Sequence, residues 1–385
     1  MIENTNQFIY LVSITACILM GITFFSFPTP KVAMLQHYKL SKKILGLSYL
    51  TLGGLMLFNV LIGSPHKPEQ FLAFPSIIIS SSQAYLFTFT LLILINPGLG
   101  TRRYMWRQLC PILAIITLFI VCNMIWGNPD THSIKAFVTQ IYHPAVAVRF
   151  LFFLFYIFQL VYYTYLFRRE KRKFIGKMYD YYSDDTVLRL RWVEYAFYAA
   201  LGIGILAFFS YFFPSILFDN IFVAFYTIFY ILFAFGYLRY ELFYKMVEKA
   251  IEPFVPVASS ETTVKEEAET KQSMELPSIL KENFLSLMEN EKPYLHKGIT
   301  SDDVATMLHT NRTYLSAMVN HSYGVNFNTY VNRMRVEYAC GLMSRQPGLS
   351  TAEIAEQVGF ADATHFCRQF KTIKGCTTKV WKSQL

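Results

Sequence analysis

The chain has 385 residues, of which 54% are hydrophobic, 17% aromatic and only 16% charged, and its formal net charge is +9. Soluble domains carry about a quarter charged residues, so a single ordinary water-soluble globule is excluded, while the length allows two or three domains. The uneven placement of apolar residues along the chain says more than the net charge does.

Seven apolar runs fill the first two thirds, at Phe8–Phe27, Ile44–Gly63, Phe71–Ile95, Leu109–Gly127, Ala145–Phe167, Val193–Phe213 and Ser215–Leu238. Each is near the ~20 residues with which a helix crosses ~30 Å of hydrocarbon. A large buried helical core is the competing explanation, and seven such runs in succession argue against it. Only Glu3 is charged ahead of the first run, which lacks a basic leader and is longer than a signal-peptide core.

Basic residues alternate between the loops. The first, third and fifth loops hold Lys31, Lys39, Lys42 and Lys43, then Arg102, Arg103 and Arg107, then Arg168, Arg169, Lys171, Arg172, Lys173, Lys177, Arg189 and Arg191. The loops between them hold only Lys67 and Lys135. Retention of Lys and Arg on the cytoplasmic side then places the N-terminus outside and the C-terminus inside, an arrangement that needs an odd number of crossings. The expectation is a multi-pass protein of a bacterial cytoplasmic membrane, with the lipid bilayer as its first partner.

Polar groups inside such a bundle are costly and are candidates for function. Asn59, Asn123, Arg149, Asp219 and Asn220 fall near the outer ends of their helices and are placed to line a pocket for a signal of unknown chemistry, with Arg149 and Asp219 as the pair to test. Ser80-Ser81-Ser82-Gln83 lies in the middle of the third helix, where Pro75 is placed to introduce a kink. Interfacial placement and interhelical hydrogen bonds are the alternative for all of these residues. No H-E-x-x-H, G-x-S-x-G or P-loop occurs, and His37 and His143 are solitary. No enzyme site, cofactor or metal is expected. The dense aromatics, such as Phe152-Phe153 and Tyr162-Tyr163, read as lipid-facing and interfacial anchors. Cys17, Cys110, Cys122, Cys340, Cys367 and Cys376 form no C-x-x-C pair and read as buried, reduced thiols.

The membrane domain is thus expected at 1–238, followed by a cytoplasmic exit helix at 239–254, where Phe243, Val247, Ala250 and Phe254 share a face. Residues 255–275 are rich in Ser, Thr and Glu and almost free of bulky apolar groups, which predicts a flexible acidic linker.

From residue 276 to 385 the pattern changes to short amphipathic helices. Asp303-Val304-Ala305-Thr306-Met307-Leu308 and Glu353-Ile354-Ala355-Glu356-Gln357-Val358 echo each other at a shift of 50. A turn follows each, His309-Thr310 with Asn311 as N-cap and Gly359-Phe360 with Asp362 near the next start. Second helices are expected at Arg312–Asn320 and Asp362–Thr372, with Leu315 and Phe366 in matching core positions. Helix, tight turn, helix is the arrangement whose second helix enters the DNA major groove.

Here the sequence resembles the AraC-type (AraC/XylS) family of DNA-binding domains, over about Ile299 to Lys382. The resemblance is carried by Val304-Ala305, Tyr314-Leu315-Ser316, Gly324-Val325-Asn326-Phe327, Tyr330 to Val336, Ala339, Ile354-Ala355, Val358-Gly359-Phe360, Phe366, Arg368, Phe370-Lys371 and Gly375. It implies two helix-turn-helix units joined by a long helix, about Phe327–Ser344, whose recognition helices enter two adjacent major grooves of double-stranded DNA. His309, Thr310, Thr378 and Trp381 depart from the family pattern. This part holds twelve Lys or Arg against nine Asp or Glu, so binding must rest on local placement of charge. Arg312, Thr313, Ser316 and Asn320 are the expected DNA contacts of the first unit, and Asp362, Ala363, Thr364, Arg368 and Lys371 those of the second. Arg335, on the connecting helix, is expected to bond within the domain.

The expected fold class is therefore all-α: a seven-helix transmembrane bundle followed by a double helix-turn-helix domain. The expected function is a one-component transcription regulator coupling a membrane signal to promoter binding, with RNA polymerase and a second copy of the chain as candidate partners. A transporter or membrane enzyme with a fused regulatory DNA-binding tail, and a passively anchored regulator, are the alternatives.

Overall fold

The computed structural model describes residues 2–29, 35–62, 70–184, 191–212, 216–251 and 269–385. Lys31, Lys67, Arg189 and the expected linker as far as residue 268 lie outside the described residues. The protein is all-α: no strand occurs among the described residues, only an isolated antiparallel bridge between Tyr182 and Thr300. Two compact units form, one of Met1–Arg172 with Trp192–Glu248, the other of Lys173–Arg191 with Lys249–Leu385.

The first unit contains α1 (Ile2–Ser26), α2 (Gln36–Ile62), α3 (Phe74–Ile95), α4 (Arg102–Trp126), the short α5 (Ile134–Thr139), most of α6 (Pro144–Tyr181), α7 (Arg191–Ser210) and α8 (Ile216–Ile251). Among the described residues α1, α3, α4, α6, α7 and α8 are long and apolar enough to cross a membrane. α2 has 27 residues, and no charged residue occurs between 44 and 61.

Several boundaries differ from expectation for local reasons. α3 starts at Phe74 with Pro75 in its first turn, so this proline opens the helix instead of kinking it; the first turn needs no donor there and the fixed φ suits it. Pro111 lies inside α4, which begins at Arg102 because the basic residues ahead of the apolar run are also helical. α8 is continuous through the end of the last apolar run and into the expected exit helix. Ala250 is buried, while the side chains of Phe243 and Val247, and all of Phe254, lie outside the described residues.

The polar run of α3 bonds between helices. Ser80 meets the Tyr211 hydroxyl at 2.9 Å, Ser81 donates to Gln159 at 2.7 Å, and Gln83 accepts from Ser48 at 2.6 Å and from Tyr230 at 3.2 Å. These links satisfy side-chain groups that neither apolar neighbours nor lipid could satisfy. The cysteines are free, but they are not all buried. Cys110 is exposed on α4, and Cys367 and Cys376 are half-buried.

The second unit is a tandem repeat. α9 (Glu269–Asn290) starts inside the stretch expected as linker. α10 (Ser301–Met307) and α11 (Arg312–Tyr323) form the first helix-turn-helix, α12 (Phe327–Arg345) connects, and α13 (Thr351–Gln357) with α14 (Ala363–Lys374) forms the second, before the short α15 (Thr378–Lys382). The repeat extends to the caps. Thr300 with Asp303 and Ser350 with Glu353 each close a capping box, and the C-caps Gly324 and Gly375 are both left-handed. Each unit has its own core. Leu315, Val319 and Phe284 lie with Phe327 and Val331 of α12 in the first; Phe366, Phe370 and Ile354 lie with Val336, Ala339 and Met343 in the second. α12 therefore joins the cores of the two helix-turn-helix modules.

Candidate nucleic-acid interface

The two turns hold each second helix against the first. His309 (φ 51) and Gly359 (φ 81) are both left-handed, at matching places in the repeat. Asn311 and Asp362 then cap α11 and α14, accepting from the Tyr314 amide at 2.9 Å and the His365 amide at 2.7 Å. On α11, Leu315, Met318 and Val319 face the core. Thr313 and Asn320 are exposed, whereas Arg312 and Ser316 are half-buried. On α14, His365, Phe366 and Phe370 face inward, leaving Thr364, Arg368 and Lys371 exposed on one side at spacings of four and three. This places a hydroxyl and two cations on one helix face, suited to phosphate and base-edge contacts. Asp362 and Ala363 have structural work, Asp362 as the cap and Ala363 packed on the second core.

Lys374, Lys382 and Arg335 bond within the domain. Lys374 pairs with Glu337 at 2.6 Å, and Lys382 donates to the Leu349 carbonyl. Arg335 is fully buried and, as expected, bonds internally: it donates to the Tyr294 carbonyl at 2.6 Å and the His296 carbonyl at 2.9 Å. Burial lowers its pKa to about 10, which leaves it charged at neutral pH. Its charge adds to the burial that pushes His365 down to about 4, so that imidazole is neutral.

Sequence reasoning missed Asp180, Tyr181, Tyr182 and Ser183, at the end of α6. They belong to the same unit as the helix-turn-helix pair. Ser316 Oγ donates to the Asp180 carbonyl and Asn320 Nδ2 to Asp180 Oδ1, both at 3.4 Å. The Arg312 guanidinium lies 5.3 Å over the Tyr181 ring. Ser183 Oγ donates to the Ile299 carbonyl at 2.6 Å, and Asn328 Nδ2 to the Tyr182 carbonyl at 2.9 Å. The one sequence signal was Tyr-Tyr-Ser-Asp-Asp, an acidic and aromatic stretch following a basic run.

In the first unit of the fold, Arg149 is fully buried. Its bonds run to Gln70 at 2.5 Å, to Asn128 at 3.5 Å and to Thr131, and its guanidinium lies 5.5 Å from the Phe137 ring centre. Asp219 is not among its partners, so the expected Arg149–Asp219 pair does not form. Asp219 lines a cavity of about 190 Å³ together with Gln70, Ser80, Gln83, Tyr156 and Tyr211. An apolar cavity of ~150 Å³ suffices for benzene. Asn220 is buried, and its Oδ1 has no hydrogen-bond partner among the described residues. Asn123 is exposed on α4, and the side chain of Asn59 lies outside the described residues.

Comparison with known proteins matches the C-terminal helix-turn-helix region. Residues 304–384 fit the family model "Helix-turn-helix domain". The chain is 26% identical over 105 residues to the HTH-type transcriptional regulator YtdP of Bacillus subtilis, covering 27% of this chain and 13% of that one. It is 28% identical over 92 residues to the regulatory protein PocR of Salmonella typhimurium, covering 24% and 30%. It is 33% identical over 74 residues to the HTH-type transcriptional regulator YijO of Escherichia coli, covering 19% and 26%. Less than a third of each relative's length is therefore matched, and no solved structure matches the chain. Residues 304–384 of this protein thus match a helix-turn-helix domain, and this part of the chain is similar to parts of proteins named as transcription regulators.

Proposed function

We propose that the protein is a membrane-embedded, sequence-specific transcription regulator. In this reading α1 to α4 and α6 to α8 cross a bacterial cytoplasmic membrane with the N-terminus outside, and the helix-turn-helix pair binds promoter DNA from the cytoplasm. The observation that carries it is the outward face of α14, with Thr364, Arg368 and Lys371 on the second helix of a helix-turn-helix, in a chain whose described residues include six helices apolar enough to cross a membrane. The alternation of basic loops supports the orientation. Arg312, Thr313, Ser316 and Asn320 serve the first half-site, and Asp362 and Ala363 set the start of the second recognition helix.

The buried polar cluster around Arg149 and the cavity beside Asp219 support reception of a signal by the bundle. The cavity is lined by hydroxyls, amides and aromatic rings, with Asp219 as its charged member, so an uncharged or cationic amphiphile fits it better than an anion.

Genome-wide crosslinking of DNA to the full-length protein tests the DNA-binding reading. Arg368→Ala should lose the enriched sites, and Lys371→Ala should lower the salt dependence of binding by about one phosphate contact. Unchanged occupancy in both variants refutes it. Digestion of the C-terminal domain by protease added to intact cells refutes the orientation.

A further inference from the structure

The two helix-turn-helix units repeat each other down to their caps, and the end of α6 meets the second helix of the first unit. On α14, Thr364, Arg368 and Lys371 stay exposed. On α11, three of the four residues expected to meet DNA are engaged by the end of α6. The Arg312 side chain is 13% exposed, stacked 5.3 Å over the Tyr181 ring and 3.9 Å from Asp302. The Tyr181 hydroxyl donates to Asp302 at 2.9 Å, so ring, carboxylate and guanidinium form one cluster. Ser316 and Asn320 donate to the carbonyl and the carboxylate of Asp180.

We propose that the Asp180–Tyr181 end of α6 competes with DNA for the first recognition helix, so that the docked turn withholds Arg312, Ser316 and Asn320 and its release admits DNA. This rests on the reading of α11 and α14 as the DNA-contacting helices.

The chemistry of the turn matches that of the ligand it would replace. Asp180 offers a carboxylate and a carbonyl oxygen where a phosphodiester would offer its oxygens, and Tyr181 offers a flat face to the guanidinium. The two hydrogen bonds to Asp180, at 3.4 Å, are longer than the usual range of about 2.7–3.2 Å and therefore weak. The neighbouring residues are held more firmly. Ser183 is fully buried and bonded to the Ile299 carbonyl at 2.6 Å, and Tyr182 forms the bridge to Thr300. Tyr182 and Ser183 therefore keep the competing residues close to α11 when they let go, so rebinding is intramolecular and fast. α6 also carries Arg149, so one continuous helix holds both the buried polar cluster and the competing turn. A signal that favours one position of α6 would shift the balance by its differential affinity.

The test uses the full-length protein in lipid nanodiscs and a duplex recovered by crosslinking. Asp180→Ala with Tyr181→Ala should bind that duplex about tenfold more tightly than the native protein, because the competitor is removed while Ser183 is kept. Hydrogen exchange on the native protein is the second measurement and needs no substitution. Adding the duplex should speed exchange of the amides in 178–184 at least threefold while slowing those of α11. Native affinity in a folded double variant, or exchange in 178–184 that DNA leaves unchanged, overturns the competition. If the double variant does not fold, the exchange result decides alone. Arg368→Ala separates the two levels: if it too binds like the native protein, the DNA-binding reading fails, and if it weakens binding while the other results are negative, only the competition fails.

Discussion

Gly359 and His309 occupy the same place in the two helix-turn-helix units, and substitutions there should have opposite effects. Gly359 has φ 81, and a Cβ built on it would lie 2.7 Å from the carbonyl carbon of Leu295, a backbone group with no side chain to swing aside. A left-handed conformation costs a non-glycine residue about 1–2 kcal/mol, and overpacking of this kind costs about 1–3 kcal/mol more. The smaller unfolded-state entropy of Ala returns about 0.5–1 kcal/mol, so Gly359→Ala should destabilise the second unit by about 1–4 kcal/mol. His309, at φ 51, already bears the left-handed penalty, and His309→Gly should stabilise the first unit by up to about 1 kcal/mol once the glycine entropy is subtracted. Because the chain has two units, a single melting temperature would mix them, and native-state hydrogen exchange is the suitable assay. The Phe360 amide, which donates to the Ala355 carbonyl at 2.9 Å, should exchange about fivefold to a thousandfold faster in Gly359→Ala, at tenfold per 1.4 kcal/mol. The Thr310 amide, which donates to the Ala305 carbonyl at 2.9 Å, should exchange more slowly in His309→Gly. Exchange in Gly359→Ala within threefold of native would refute the steric reasoning.

Three further outcomes are expected. The folded unit holds His365 neutral, with its pKa at about 4 against an ordinary 6.5, so its contribution is complete above pH 6.5 and is lost as pH falls toward 4, by about 3 kcal/mol in all; His365→Phe should flatten the pH dependence of exchange in α14, and an unchanged slope would contradict this. Arg335→Lys keeps the charge but cannot fork to the Tyr294 and His296 carbonyls together, and should lower the stability of the C-terminal unit by about 2–3 kcal/mol, read as faster exchange in α12; native-like protection would show that charge alone suffices. Arg149→Ala and Asp219→Ala should each alter the transcriptional response at constant protein level, and Arg149→Ala should also lower the melting temperature in detergent, because Gln70, Asn128 and Thr131 lose a shared donor. Wild-type behaviour of both variants removes support for a signal site in the bundle.

The sequence alone determined what local chemistry controls. Apolar runs near twenty residues announced the long helices of the first unit, and the echo between Val304-Ala305 and Ile354-Ala355 announced a repeat whose caps, Asn311 and Asp362, sit where the side chains predicted. The connecting helix that the family resemblance implied at about Phe327–Ser344 runs Phe327–Arg345, capped by Asn326. Pro75 shows the limit even locally: its residue type allowed a kink or a start, and the position of the first turn chose the start.

Only the tertiary structure decided which groups meet across the chain. Arg149 and Asp219 looked like partners because opposite charges at one depth of a membrane suggest a pair, yet packing gave Arg149 three neutral oxygens on Gln70, Asn128 and Thr131 instead. Ser316 meets the Asp180 carbonyl across 136 positions of sequence, and no periodicity or spacing encodes a contact of that separation. Helices, caps and turns follow from neighbours within a few residues, whereas a docked turn or a buried guanidinium depends on surfaces that exist only after the helices have packed.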